Sequence, residues 1–283
     1  MCLNPQKVNY SIDIETGKMV LDFKSQHLDR PYITIPCGKC FDCLEQKSKD
    51  WALRCMIEKR SHKESCIVTL TYKDTDGDLH REDVTLFIKR LRKMLYKDNI
   101  KIRYFGCGEY GDLGKRPHYH LIIFGWCPKD LRFKFRSNDH KEKFTSKIIE
   151  KLWNNGWVLV DPFVDYNTCK YSAKYMQKLN DIGDKPKPFL LYSTRPAIGC
   201  FDLDDYLNVL VNDKGFYLNG RFCRCPKSML NAFSKHFDIP DNIIDDYKIR
   251  SLSYLKNIGV IKDLTDDDFE KLYNFYKKKL HLS

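Results

Sequence analysis

Arg116-Pro-His118-Tyr-His120-Leu-Ile-Ile-Phe-Gly125 is the stretch whose reading decides the fold. A proline opens it, a β-branched and aromatic run follows and a glycine closes it, so Pro117–Gly125 reads as a strand. The segment before it, about Ile100–Cys107, reads as a second strand, with a Gly/Asp-rich connection over Gly108–Arg116, and the two form an antiparallel hairpin. Side chains alternate across a strand, so His118 and His120 project from one face and can both reach one metal ion. Glu109, in Phe105-Gly-Cys-Gly-Glu-Tyr-Gly111, ends the neighbouring strand and can sit beside them. Two imidazoles and one carboxylate leave coordination positions open for water and substrate, as a catalytic metal site requires. Taken alone, the His-x-His reads equally as two core or surface histidines, and Glu109 as a solvated turn carboxylate.

Outward from the hairpin, Cys66-Ile-Val-Thr-Leu-Thr-Tyr72 is another strand. A helix covers about Leu44–His62, and Val84, Phe87, Ile88, Leu91, Met94 and Leu95 mark the apolar face of the next one. A basic stretch, Lys129–Lys143, precedes a helix ending near Trp153; Gly156–Phe163 is a strand and Tyr166–Leu179 a helix. The order β-α-β-β-α-β-α predicts an α+β domain, an antiparallel sheet with its helices on one side. Residues 1–36 read as polar and irregular. The chain divides into a cysteine-rich segment and helix (1–62), a central domain (63–185) and a small appendage of unassigned role with a charged helical tail (186–283).

The chain has 283 residues, 42% hydrophobic and 13% aromatic, which excludes a mainly disordered protein. Its net charge of +11 points to a polyanionic partner. The basic helix face Lys89–Lys93 and the Lys129–Lys143 stretch are candidate phosphate-backbone contacts, or simply solvated faces. Phe133, Phe135, Trp126 and Tyr110 are candidates for stacking on bases, or core. No apolar run is long enough for a membrane span, no secretory signal opens the sequence, and no Walker-type G-x-x-x-x-G-K-[ST] occurs. An intracellular setting makes the twelve cysteines thiols or metal ligands rather than a disulfide framework. Cys37, Cys40 and Cys43 form C-x-x-C-x-x-C; with Cys2 as fourth ligand, or His27 next, they suit a structural zinc, and otherwise pack as reduced thiols.

Tyr171-Ser-Ala-Lys174-Tyr175-Met-Gln-Lys178 sets two tyrosines one helical turn apart, each followed three residues later by a lysine on the same face. Its plain reading is an amphipathic helix with half-buried aromatics. Together with Glu-Tyr-Gly and Arg116-Pro-His-Tyr-His-Leu-Ile-Ile-Phe-Gly125, however, the sequence resembles the two-tyrosine HUH endonucleases, and more closely the rolling-circle replication initiators of microviruses, the gokushovirus type especially. The resemblance covers roughly 35–180, with weaker support from Cys37-Gly-Lys-Cys40 and Ser193-Thr-Arg-Pro-Ala-Ile-Gly199. The tyrosine between the histidines is the microvirus form of a position that is more often hydrophobic, and the family's first motif falls on Thr69-Leu-Thr-Tyr72.

The resemblance implies an HUH fold: a central antiparallel sheet with flanking helices, a cysteine-rich N-terminal segment and a C-terminal appendage. It implies Mg²⁺ or Mn²⁺ on Glu109, His118 and His120, Tyr171 and Tyr175 as nucleophiles, and Lys174 and Lys178 neutralising charge at the phosphate. The expected activity is nicking of single-stranded phage origin DNA through a 5′-phosphotyrosine, which frees a 3′-OH for rolling-circle synthesis, followed by rejoining. The expected setting is the cytoplasm of a bacterial host, with host helicase and polymerase as partners and no membrane. Two alternatives are a single-tyrosine HUH transposase or plasmid initiator, and a non-catalytic zinc-containing nucleic-acid-binding protein.

Overall fold

The structure, a computed structural model, describes residues 2–12, 19–24, 30–111, 114–137, 141–174, 183–200, 215–218 and 221–236. In chain order its elements are β1 (Gln6–Ile12), β2 (Met19–Asp22), β3 (Tyr32–Ile35), α1 (Phe41–Arg60), β4 (Ser65–Tyr72), α2 (Arg81–Tyr96), β5 (Arg103–Tyr110) and β6 (Pro117–Phe124). There follow β7 (Arg132–Arg136), β8 (Glu142–Thr145), α3 (Lys147–Trp153), β9 (Gly156–Asp161), α4 (Tyr166–Lys174), β10 (Phe189–Tyr192), β11 (Gly215–Leu218), β12 (Arg221–Arg224) and α5 (Lys227–His236). They fall into two compact units, Leu44–Asp204 and Met1–Cys43 with Asp205–Ser283. This division differs from the boundaries expected at 62 and 185. Most of α1 belongs with the central unit because Ala52 and Cys55 are fully buried in its core, and β10 because it is hydrogen-bonded along β5.

The central unit is built on a seven-stranded sheet in the order β10-β5-β6-β4-β9-β8-β7, with every neighbouring pair antiparallel. The hairpin of β5 and β6 is present, and it is longer than expected. β5 runs on through Gly106, Gly108 and Glu109 to Tyr110, so Glu109 lies within the strand and pairs directly with His118. The glycines serve this pairing. A Cβ on Gly106 would stand 2.3 Å from the Leu121 side chain, and one on Gly108 3.0 Å from the Tyr119 ring. Bare backbone at both positions lets large β6 side chains lie across β5.

Helices cover both faces of the sheet, a correction to the one-sided arrangement. On one face, Val84, Phe87, Ile88, Leu91 and Leu95 of α2, with Ile149 and Trp153 of α3, pack on Val68, Leu70, Tyr119, Leu121 and Ile123. On the other, Ala52 and Cys55 of α1, with Cys169 and Ala173 of α4, pack on Ile67, Phe105, Ile122 and Phe124. A central strand buried on both sides reads as a continuous apolar run, which is why Cys66-Ile-Val-Thr-Leu shows no polar alternation. The basic stretch from Lys129 also differs from expectation: it contains the hairpin β7–β8, where Arg132-Phe-Lys-Phe-Arg136 is exposed at all five positions.

In the other unit, β2-β1-β3 form an antiparallel sheet within the segment read as irregular, and β11 pairs with β12. The charged tail, from 237 onward, lies outside the described residues.

Candidate functional site

On β6, Tyr119, Leu121 and Ile123 enter the α2/α3 core, which turns His118 and His120 to the α1/α4 face. On β5, Phe105 belongs to that same face, and Glu109 follows it by two alternations. The three side chains therefore meet. His118 Nε2 lies 2.7 Å and His120 Nε2 3.3 Å from Glu109 Oε1. One donor atom from each residue lies within 4.8 Å of the other two.

Both imidazoles are held by their far nitrogens. His118 Nδ1 is 3.1 Å from the Arg116 carbonyl oxygen, an acceptor, so that nitrogen carries the proton. His120 Nδ1 is 3.0 Å from Thr69 Oγ1. Each ring thus directs Nε2 toward the carboxylate, the outer-shell arrangement that orients histidine as a metal ligand. Burial pushes the His120 pKa below its ordinary value, against the pull of Glu109, and so keeps the ring neutral. Burial would raise the Glu109 carboxyl, but hydrogen bonds from His118 and His120 outweigh it and hold the group below its usual value. Two neutral nitrogens and one ionised oxygen fit a divalent cation, with space left for further oxygen ligands.

α4 brings the first tyrosine to this cluster. Its start is fixed by a reciprocal cap: Thr168 N–H donates to Asp165 Oδ1 at 2.7 Å, and Asp165 N–H to Thr168 Oγ1 at 2.9 Å. Cys169, Ser172 and Ala173 face the sheet, which leaves Tyr171 at the rim, 57% exposed. Its ring centroid is 6.4 Å from that of His120, edge to face at 73°. Lys174 is exposed at the end of α4, while Tyr175, Lys178 and His27 lie outside the described residues.

Three neighbours of the cluster went unseen in the sequence. Thr69 lay in a string with nothing to distinguish it until its hydroxyl was found on His120. Trp157, 51% exposed, sits opposite Thr71, which itself sits opposite His118. Arg116 crosses the Trp157 ring with its guanidinium 5.2 Å from the centroid. By contrast, Trp126 and Tyr110 are core residues rather than stacking surfaces, at 6% and 5% exposure. Phe133 and Phe135 are exposed, on β7.

The cysteines assemble separately. Cys2, Cys37, Cys40 and Cys43 place their sulfurs within 4.8 Å of one another, with Cys37–Cys43 at 4.0 Å and Cys40–Cys2 at 3.7 Å. Zinc–sulfur bonds of about 2.3 Å in a tetrahedron imply sulfur–sulfur edges of about 3.8 Å, so the spacing fits a closed metal site. Gly38, at φ 72°, supplies the left-handed turn of the knuckle, and backbone N–H groups of Leu3, Cys37, Lys39 and Cys40 donate to the sulfurs. Cys55, Cys66, Cys107, Cys169 and Cys200 are buried in the core, as expected.

An α+β fold carrying a Glu-His-His cluster beside an exposed tyrosine defines a class of candidate metal-dependent phosphoryl-transfer proteins. Comparison with known proteins is more specific. The sequence model of a family of replication-associated proteins, the ORF2 type, matches residues 65–180, which span β4 to α4. The chain is 30% identical to Replication-associated protein VP4 of Bdellovibrio phage phiMH2K, over 97% of this chain and 90% of that protein. It is 35% identical to Replication-associated protein ORF4 of Chlamydia phage 1, over 66% of this chain and 50% of that one. It is 31% identical to Replication-associated protein ORF2 of Spiroplasma virus 4, over 65% and 62%. The matched region thus spans half of the Chlamydia phage relative and under two thirds of the Spiroplasma one. No solved structure matches. The chain belongs to the family of phage replication-associated proteins, the microvirus-type replication initiators.

Proposed function

We propose that the chain is a site-specific nickase and strand transferase on single-stranded DNA, with Tyr171 and Tyr175 as nucleophiles and Glu109, His118 and His120 as the ligands of Mg²⁺ or Mn²⁺. The observation that carries this reading is the Tyr171 ring beside His120, at the rim of a cluster whose imidazoles both aim Nε2 at one carboxylate. The ion, when bound, supplies Lewis-acid polarisation of the scissile phosphate.

The chain's own residues do the rest. Glu109 and His120 remain ionised and neutral respectively at pH 7, the states a cation requires. The Tyr171 hydroxyl stands at the surface, where a strand can reach it, and gives up its proton as it attacks phosphorus. A Tyr Oη–P bond forms, the P–O3′ bond breaks, and the departing 3′ oxygen takes a proton. Because one phosphoester replaces another, resealing by the reverse attack needs no nucleotide. Lys174 and Lys178 offset phosphate charge from the same helix face. The freed 3′-OH serves a host polymerase behind a host helicase during rolling-circle synthesis in the bacterial cytoplasm. No described helix is long and apolar enough to cross a membrane. The cysteine cluster holds Zn²⁺ in a structural role.

The test is incubation with labelled circular single-stranded phage origin DNA and Mn²⁺. A protease-sensitive protein–DNA adduct is expected. DNA binding without any adduct, over a range of divalent ions, overturns the nickase and leaves the non-catalytic alternative.

A further inference from the structure

Trp157 is a large apolar ring held in solvent on the face that carries the metal-ligand cluster. Its neighbours Val158 and Val160 point into the α2/α3 core, so Trp157 must point the other way, toward the side of His118 and His120. The row Glu109–His118–Thr71–Trp157 runs straight across β5, β6, β4 and β9. Two strand spacings, about 10 Å, separate Trp157 from His118. Nothing in the core requires an exposed indole here, since the strand's packing is done by the valines on its other side.

The ring is also braced. Arg116 donates hydrogen bonds to the Tyr72 and Lys73 carbonyls at the end of β4, which fixes its guanidinium beside the indole. Among the described residues no carboxylate pairs with Arg116, so a positive charge without a counter-ion lies against the ring. Farther along the sheet Lys143 reaches toward Asp161, and the exposed Phe135 pairs with it across β7 and β8. A rigid aromatic face beside an uncompensated guanidinium suits a nucleobase attached to a phosphodiester. It suits an unpaired base best, because only an unstacked base offers its face.

We infer that Trp157, braced by Arg116, is a base-stacking subsite for single-stranded DNA, which seats a nucleotide close to the scissile phosphate. The inference rests on the nickase reading for the identity of its ligand, but its test reads binding alone.

Of the chain's four tryptophans, Trp126 and Trp153 are buried and Trp51 is half-buried beneath Arg54, so Trp157 is the one a base can quench. The full chain is titrated with a short oligothymidylate lacking any origin sequence, in buffer without added metal. Saturation should quench wild-type fluorescence. Trp157→Ala should weaken affinity about tenfold, and Trp157→Phe should restore most of it. Unquenched wild-type fluorescence at saturation, wild-type affinity in Trp157→Ala, or a Phe variant as weak as the Ala one overturns the subsite, whatever the nicking assay gives. Oligothymidylate binding that depends on Trp157, in a protein that forms no adduct with Mn²⁺, keeps the subsite and overturns the nickase instead.

Discussion

Thr69 Oγ1 stands 3.0 Å from His120 Nδ1, so a residue of β4 decides which nitrogen of a β6 histidine faces Glu109. Thr69→Val keeps the shape of the side chain and removes that bond. Mn²⁺ affinity should fall about 10–100-fold, the usual effect of losing an outer-shell partner, while the thermal midpoint moves little. A calorimetric titration with Mn²⁺ measures it. Wild-type affinity in the valine variant would show that the ring is oriented by packing alone.

Replacing both His118 and His120 with Ala should abolish adduct formation and leave most DNA binding in place. Binding draws on dispersed cations and on stacking, whereas activation of the phosphate depends on one cluster. Paired nicking and gel-shift assays separate the two. Wild-type nicking by the double variant with Mg²⁺ or Mn²⁺ removes the cluster from the mechanism.

Acid should disarm the site, and the signs of both shifts agree. The folded-state pKa of His120 is lowered, so the unfolded chain takes up its proton first as pH falls, beginning near the ordinary histidine value of about 6.5. The stability this ring contributes is present above that value and is lost below it. The Glu109 pKa is also lowered, so its contribution persists to more acid pH and disappears only as pH falls through its folded value. Mn²⁺ affinity and thermal midpoint should therefore hold steady between pH 8 and 7 and decline together below about 6.5. Titrations at unit pH intervals check this; a loss already complete by pH 7 contradicts the assignment of a neutral His120.

The cysteine cluster makes a separable prediction. Ser at Cys37, Cys40 or Cys43 should remove close to one zinc per chain and lower the thermal midpoint, because metal binding of this kind is folding free energy. Elemental analysis with a melting curve tests it. A zinc-free protein with an unchanged midpoint means that the four sulfurs are packed thiols.

The site was more legible in the sequence than the fold around it. His118, His120 and Glu109 announce themselves because a metal needs particular atoms, and strand alternation places those atoms on a stated face. C-x-x-C-x-x-C is legible for the same reason, and so was Cys2 as its fourth member. Thr69 and Trp157 were not, since their roles come from register across β4, β6 and β9, which no local pattern encodes. The second layer of helices was hidden because α4 buries only small residues, Cys169, Ser172 and Ala173, and shows no broad apolar stripe. β7 escaped because its exposed Arg-Phe-Lys-Phe-Arg reads as a charge run rather than an edge strand.

The tyrosine pair gives the sharpest prediction. Tyr171 stands beside His120, and the sequence sets Tyr175 four residues on, about one helical turn away, so that both hydroxyls would reach one metal-bound phosphate in turn. Removing one hydroxyl leaves one nucleophile, so Tyr171→Phe and Tyr175→Phe should each still cut and form a 5′-phosphotyrosine adduct. Neither should release a closed circle, because the second transfer needs a free tyrosine while the first holds the 5′ end. The double Phe variant should bind DNA and Mn²⁺ and form no adduct. Adduct formation and circle release are measured for all three variants on labelled circular single-stranded DNA. If one single variant is inert and the other completes both steps, a single tyrosine does all the chemistry, and the transposase-like or plasmid-initiator alternative replaces the relay.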